Sequence, residues 1–97
     1  MPTEPLPTMQ IQKALEELNG WHLADSRLKK RFEFGGFQEA ISFIVRLAFS
    51  AEQLNHHPEL HNVYNRVDIT LTTHDAGNRV TEKDLALARR IESFAWR

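Results

Sequence analysis

Apolar residues recur at helical spacing near the start of the chain, after a proline-rich segment, residues 1–7, that we expect to be loosely held. Thr8 is placed to cap this helix, and Asn19-Gly20 is a typical helix end. We therefore predict a short helix with one apolar face. Its members are Ile11, Ala14, Leu15 and Leu18.

The period then changes from helical to alternating, which is typical of strands. Trp21 and Leu23 occupy alternate positions, and Asp25-Ser26 predicts a turn that joins two strands. In the next run, Lys30 interrupts an apolar alternation formed by Leu28, Phe32 and Phe34. The pattern predicts two antiparallel strands.

A long helix is predicted from Phe37 to about Leu54, after Gly35-Gly36. Its polar arc on a helical wheel consists of Gln38, Glu39, Ser42, Arg46, Ser50 and Gln53. The opposite, apolar arc is wide, which indicates either a central helix or a helix covered by another subunit. Glu52 falls on that apolar arc, where a carboxylate needs a partner, a chemical task or a path to water along its stem.

Residues 60–65 and 67–73 alternate as a hairpin with a tight connection near Asn65-Arg66. One parity is apolar and predicted to face the core: Val67, Ile69 and Leu71. The other parity is polar and predicted to face away: Asp68, Thr70 and Thr72. The hairpin therefore has one buried and one open face.

The last helix has a clear beginning. Residues 75–78 form a turn, Thr81 and Asp84 have the spacing of a capping box, and Val80 and Leu85 are placed as a hydrophobic staple. Its apolar stripe consists of Leu85, Ala88, Ile91 and Ala95, supported by Leu87 and Phe94.

These elements predict an α+β fold in one domain, residues 1–97, with the order α-β-β-α-β-β-α. We expect a four-stranded antiparallel sheet with three helices packed on one face. An exposed sheet edge has free backbone donors and acceptors, so we also expect a homo-oligomer, either a homodimer or a homotetramer.

Composition narrows the classes of function that the chain can have. The 97 residues carry a net charge of −1, which gives no long-range attraction to nucleic acid or to anionic lipid. Without cysteine, disulfides and thiolate metal sites are excluded. We find neither a signal peptide nor a membrane span, and expect a soluble cytoplasmic protein. Gly35-Gly36 stands alone, so no glycine-rich phosphate loop is present.

Four of the five histidines lie between residues 54 and 74. Pro58 stops any continuing helix, so His57 and His61 do not share a helical face as zinc ligands would. The hairpin returns His74 toward His56 and His57, near Glu52. An isolated histidine is most often structural or simply exposed, but three that converge beside a carboxylate can act as acid and base at neutral pH.

The segment AEQLNHHPELHNVYNRVDITLTTH, followed by TEKDLALARRIE, resembles the pterin-4a-carbinolamine dehydratase family. Mammalian members of that family also serve as a dimerisation cofactor of a homeodomain transcription factor. The resemblance extends from about Gly20 to Ala95. Leu60 stands where many members have tryptophan, and His61 where an aromatic residue is frequent, so the packing of the pocket differs locally.

The resemblance implies dehydration of 4a-hydroxytetrahydropterin, including 4a-hydroxytetrahydrobiopterin, to quinonoid dihydropterin, without a metal or cofactor. By carry-over, His56, His57 and His74 are catalytic, with His56 and His74 the acid/base pair and the division of roles between them open. The substrate-binding residues are Glu52, His57, Pro58 and Asp84. The implied partners are the pterin, further copies of the chain and, metabolically, an aromatic amino-acid hydroxylase, with no direct role for nucleic acid or membrane.

Two alternatives remain open at this stage. A non-catalytic dimerising binding protein or transcriptional coactivator of the same fold would not need the complete histidine set. A histidine-ligated metal site is weaker, because Pro58 keeps His57 and His61 from sharing a helical face. Asp84 as a helix cap and Trp21 as a core residue are the structural alternatives to roles in a pocket.

Overall fold

The computed structural model describes residues 4–95 and confirms the predicted order of elements. Its helices and strands are α1 (Thr8–Leu15), β1 (His22–Ala24), β2 (Arg27–Glu33), α2 (Phe37–Leu54), β3 (Glu59–Val63), β4 (Arg66–Leu71) and α3 (Glu82–Phe94), with a 3₁₀ turn (His74–Ala76) before α3. Residues 1–3 of the segment predicted to be loose lie outside the described residues. Within its described part, the Leu6 N–H donates to the Val80 carbonyl at 2.9 Å.

The four strands form one antiparallel sheet in the order β1-β2-β4-β3. The central pair, β2 and β4, places Leu28 opposite Leu71 and Phe32 opposite Val67, and all four side chains are fully buried. Because side chains alternate between the two faces, this register gives the sheet one apolar face for the helices. The predicted α+β class and the single apolar face are confirmed.

The sequence indicated that Lys30 interrupts the alternation of β2, but this is wrong. Lys30 lies on the buried face of the strand, with only 7% of its surface exposed. Its ammonium donates to the Asn19 carbonyl at 2.7 Å and to Glu92 Oε2 at 2.8 Å. The Trp21 indole N–H donates to the same Glu92 oxygen at 3.0 Å. A buried charge is tolerated here because it is paired and hydrogen-bonded. Trp21 is therefore a core residue.

Helix α2 has the predicted bounds but a different buried face. Ser50, predicted on the polar arc, is buried beside Phe43 and Leu47 on the sheet-facing side. Half of the wide apolar arc is exposed, because the sheet covers only one side of the helix. We call this exposed row the α2 stripe. It consists of Phe37, Ile41, Val45 and Phe49, which are 36–68% exposed.

Three local predictions differ in detail. Helix α1 has no side-chain cap, since Pro7 takes the cap position and Thr8 is its first residue. It ends at Leu15, before the predicted stop, and turns continue to Gly20. The β3–β4 connection is Tyr64-Asn65, one residue earlier than predicted, with Tyr64 in the left-handed region (φ 50°).

The predicted capping box of α3 is confirmed. Thr81 accepts a hydrogen bond from the Lys83 N–H, and Asp84 accepts one from the Thr81 N–H. Among residues 4–95, no helix has the length and apolarity that crossing a membrane requires.

Candidate active site

Three chain segments meet at one end of the sheet and enclose a cleft of about 260 Å³. The first follows α2, the second follows β4, and the third is the first turn of α3. The cleft is lined by Asn55, His56, His57, Thr72, Thr73, His74, Asp75 and Lys83. The predicted convergence of His56, His57 and His74 is present in the structure.

The end of α2 sets the direction of the paired histidines. Asn55 adopts a left-handed conformation (φ 50°), in which asparagine is tolerated better than most residues, and ends the helix. The His56 N–H then donates back to the Ala51 carbonyl at 3.0 Å. The chain therefore reverses at the helix end, which places His56 in the interior and leaves His57 exposed.

His56 is held by a buried carboxylate. Its Nε2 lies 2.5 Å from Oδ1 of Asp84, which is completely buried. The other oxygen, Oδ2, accepts from the Thr73 hydroxyl at 2.8 Å and from the Thr81 N–H at 2.9 Å. Since the carboxylate accepts from all of these groups, His56 donates through Nε2 and its Nδ1 carries the lone pair when the ring is neutral.

In the hydrogen bonds of Thr73 and Thr81, the donor and the acceptor can be assigned. The Thr73 hydroxyl uses its proton on Asp84, so the 2.7 Å contact between Thr73 Oγ1 and Thr81 Oγ1 must use the proton of Thr81. The Thr81 hydroxyl accepts in turn from the Lys83 N–H at 3.2 Å. Asp84 is thus both a helix cap and the partner of His56, so the structural and functional interpretations of this residue are compatible.

His57 and Glu52 form an exposed pair at the mouth of the cleft. His57 Nε2 lies 2.6 Å from Glu52 Oε1, and their side chains are 61% and 76% exposed. Glu52 therefore satisfies its carboxylate with a partner at the surface rather than in the core. Neither Glu52 nor Pro58 lines the cleft itself, so Glu52 reaches the cleft only through His57.

His74 has a third kind of partner. Its Nδ1 lies 2.8 Å from the side-chain oxygen Oδ1 of Asn78, a residue that sequence analysis did not single out. The three histidines thus bond to a buried carboxylate, an exposed carboxylate and an amide. Chemically identical side chains are placed in three different electrostatic environments.

Thr72 was predicted to face away from the core, and this is wrong. It is only 4% exposed and lines the cleft, and its hydroxyl oxygen has no hydrogen-bond partner among residues 4–95. Strand β4 ends at Leu71, so the alternation on which the prediction rested does not reach the next residue. Buried polar groups without a hydrogen-bond partner are rare in folded proteins, and this one belongs to a residue that lines the cleft.

The remaining histidine of the crowded segment, His61, lies on the open face of the sheet. It is exposed and lies 3.7 Å from Asp68, which also accepts from Arg31 at 2.7 Å. The bond from the Arg31 guanidinium lowers the pKa of Asp68 below its ordinary value. Within the described part of the chain, no three histidine or acidic side chains are grouped closely enough to hold a metal ion.

Comparison with known proteins identifies a family and several relatives of this chain. The family model described as pterin 4 alpha carbinolamine dehydratase matches residues 4–94. Two bacterial relatives are provisionally named pterin-4-alpha-carbinolamine dehydratases. The protein of Opitutus terrae is 55% identical over 99% of this chain and 98% of its own length, and that of Rhizobium johnstonii is 48% identical over 100% and 97%.

Two solved structures share the fold. A transcriptional coactivator/pterin dehydratase from Brucella melitensis superposes with a TM-score of 0.89 at 40% identity, over 95% of this chain and 99% of that one. A pterin dehydratase-like protein, identified as a RuBisCO assembly factor in the alpha-carboxysome, superposes with a TM-score of 0.67 at 28% identity, over 79% and 90%.

Proposed function

This chain belongs to the pterin-4a-carbinolamine dehydratase family, and we propose that it converts 4a-hydroxytetrahydropterin to quinonoid dihydropterin and water. The observation that carries the proposal is the placement of His56 and His74 at one cleft with different partners, a buried carboxylate and an amide. Two titratable groups in unlike environments can serve as acid and base in one turnover.

The reaction requires two proton transfers. Hydroxide is a poor leaving group, so an acid must protonate the 4a oxygen as the carbon–oxygen bond breaks. A base takes the proton of the neighbouring ring nitrogen, whose electron pair forms the new carbon–nitrogen double bond. Water leaves, and solvent returns the proton from base to acid. Positioned groups of this kind typically contribute about 10² to 10⁴ in rate.

The other cleft residues suit binding. Asp84 holds the His56 ring in position through the hydrogen bond to Nε2. His57, oriented by Glu52, is placed at the mouth to bind the pterin, with Pro58 fixing the backbone that follows. The Thr72 side chain lies beside the cleft, and its hydroxyl has no hydrogen-bond partner among the described residues. We further propose that the natural substrate is 4a-hydroxytetrahydrobiopterin, formed by an aromatic amino-acid hydroxylase, and that the reaction recycles its cofactor.

The test is the disappearance of 4a-hydroxytetrahydropterin, generated in situ by a hydroxylase, compared with its spontaneous dehydration. We expect acceleration by the wild-type protein and loss of most of it in the double variant His56→Ala/His74→Ala. The matched control is His61→Ala, the same change at an exposed histidine on the open face. Absence of acceleration by folded wild-type protein, over a range of pterin side chains, would overturn the proposal.

A non-catalytic binding role is the second candidate, and the α2 stripe is the observation that favours it. The relative identified as a RuBisCO assembly factor is a precedent for such a role within this fold. If folded wild-type protein does not accelerate dehydration, the binding role becomes the better explanation.

We also propose that the α2 stripe is covered by a second copy of this chain. Four large apolar side chains on one exposed row are unusual for a monomer. Charge does not oppose self-association, since Glu52 is the one acidic residue on this side of α2, at its end. Light scattering should show an oligomer that Phe49→Asp dissociates, whereas Met9→Asp, the same change at an 83%-exposed residue of α1, should not. A monomeric wild type at all accessible concentrations would refute this assembly.

A further inference from the structure

The turn after β4 holds the His74 ring through a neighbour four residues later. His74 is the first residue of a 3₁₀ turn, His74–Ala76, and Asn78 lies two residues after its end. The two side chains meet at 2.8 Å between Nδ1 and Oδ1. An amide oxygen only accepts a hydrogen bond, so His74 donates through Nδ1. When the ring is neutral, its lone pair is then on Nε2.

The backbone makes this contact a built feature of the turn. The Thr73 N–H donates to the Arg79 carbonyl at 3.0 Å, and the Asn78 N–H donates to the Thr73 carbonyl at 3.1 Å, which closes the loop. Gly77 and Asn78 both have positive φ, 73° and 60°. Asparagine tolerates this left-handed conformation better than most residues and, unlike glycine, brings an acceptor.

The partners of His56 and His74 differ in charge as well as in position. His56 Nε2 faces the carboxylate of Asp84, whereas the neutral amide of Asn78 orients His74 without adding charge beside it. Among the described residues, no hydrogen bond to His74 Nε2 is present. That nitrogen is therefore free to accept a proton from a molecule in the cleft.

We propose that Asn78 is a positioning residue that holds His74 as the Nδ1–H tautomer, with the Nε2 lone pair available to the cleft. The catalytic consequence rests on the proposed dehydratase function, in which His74 would then be the proton acceptor. The tautomer itself does not depend on that function and can be measured separately.

Other charged groups near His74 must be held constant in the test. Lys83 from α3 and Asp75 from the same turn line the cleft, as do His56 and His57 from the segment after α2. None of these residues is changed in the variants below, so a difference between variants reports on position 78.

The first measurement is the tautomer of His74 by long-range ¹H–¹⁵N NMR at a pH where the ring is neutral. We expect Nδ1 protonated in the wild type and a mixture of tautomers in Asn78→Gly, which keeps the left-handed backbone and removes the amide. Asp25→Gly is the matched control, since it makes the same kind of change at a left-handed residue (φ 52°) in the β1–β2 turn. An unprotonated Nδ1 in the wild type would overturn the proposal.

The second measurement is the pH profile of dehydration. Asn78→Gly should lower kcat about 2- to 10-fold, as expected for loss of one hydrogen bond, with little change in KM. Asn78→Asp retains an acceptor and adds a negative charge beside Nδ1–H. It should therefore restore most of kcat and move the ascending limb of kcat/KM to higher pH. A profile that neither variant changes would refute the positioning role.

The two proposals fail in different ways. If the wild type shows the Nδ1–H tautomer but does not accelerate dehydration, the proposed function is wrong and the positioning of His74 stands. If dehydration is fast but the tautomer is the opposite one, the function stands and the role of Asn78 is wrong.

Discussion

Replacement of Asp84 by asparagine should strongly reduce turnover, because it removes a charge without changing the shape of the side chain. Asp84 is completely buried and accepts from His56, Thr73 and the Thr81 backbone. An asparagine has one acceptor oxygen, which can satisfy Thr73 and Thr81. Its NH₂ group then meets His56 Nε2–H, donor against donor, unless the ring changes tautomer.

The magnitude follows from the lost interaction. A hydrogen bond to a charged group contributes about 1.5–3 kcal/mol, which corresponds to a factor of about 10 to 150 in kcat if His56 is misoriented or loses its countercharge during turnover. KM should change less, since Asp84 does not line the cleft.

The assay is dehydration of 4a-hydroxytetrahydropterin at saturating substrate, together with thermal unfolding to confirm the fold. Glu82→Gln is the matched control, because it makes the same chemical change in the same helical turn at an exposed residue paired with Arg89. A kcat within about twofold of wild type in folded Asp84→Asn would show that the buried carboxylate is a helix cap and nothing more.

Three further changes probe separate features. Thr72→Val should leave the free protein as stable as wild type, because it removes an unpaired buried hydroxyl, while raising KM about 2- to 10-fold; an unchanged KM would show that the hydroxyl does not contact substrate. Lys30→Met should lower the free energy of unfolding by about 1–3 kcal/mol and lower the melting temperature. A variant as stable as wild type would show that the Lys30–Glu92 pair makes no net contribution to stability. Asp68→Asn should be less stable than wild type at neutral pH. The Arg31 bond lowers the pKa of Asp68 in the folded state, so this difference is present above about pH 4 and disappears as the pH falls through that lowered pKa; a pH-independent difference would contradict it.

The helices, the strands and the core were predicted well from the sequence pattern, because they depend on local periodicity. The bounds of α2 and the capping box of α3 were predicted from spacing and are present in the structure. The buried side of α2 was predicted less well. Periodicity reports which side is apolar, whereas burial depends on how much of that side the sheet covers, and here the α2 stripe stays exposed.

The residues of the site that were missed share a different cause. Thr72 lies just past the end of β4, where alternation no longer applies, and Asn78 meets His74 only because the bond between Thr73 and Arg79 closes the turn. Neither residue is marked by a periodic pattern in the sequence. The one clue in the sequence is that Asn78 lies in the predicted turn 75–78, which directly follows the candidate catalytic residue His74.

The adjacent histidines show why residue type and position along the chain do not assign roles. His56 and His57 are neighbours, yet the left-handed Asn55 reverses the chain so that one ring meets a buried carboxylate and the other an exposed one. An acid that must be protonated again at each turnover benefits from a fixed, desolvated countercharge, whereas a binding residue at the mouth benefits from freedom to adjust. Removing the buried partner should therefore be more damaging than removing the exposed one. Glu52→Gln should reduce activity only modestly through KM, while Asp84→Asn should act on kcat. The reverse ranking would mean that the exposed pair, and not the buried one, supplies the catalytic proton.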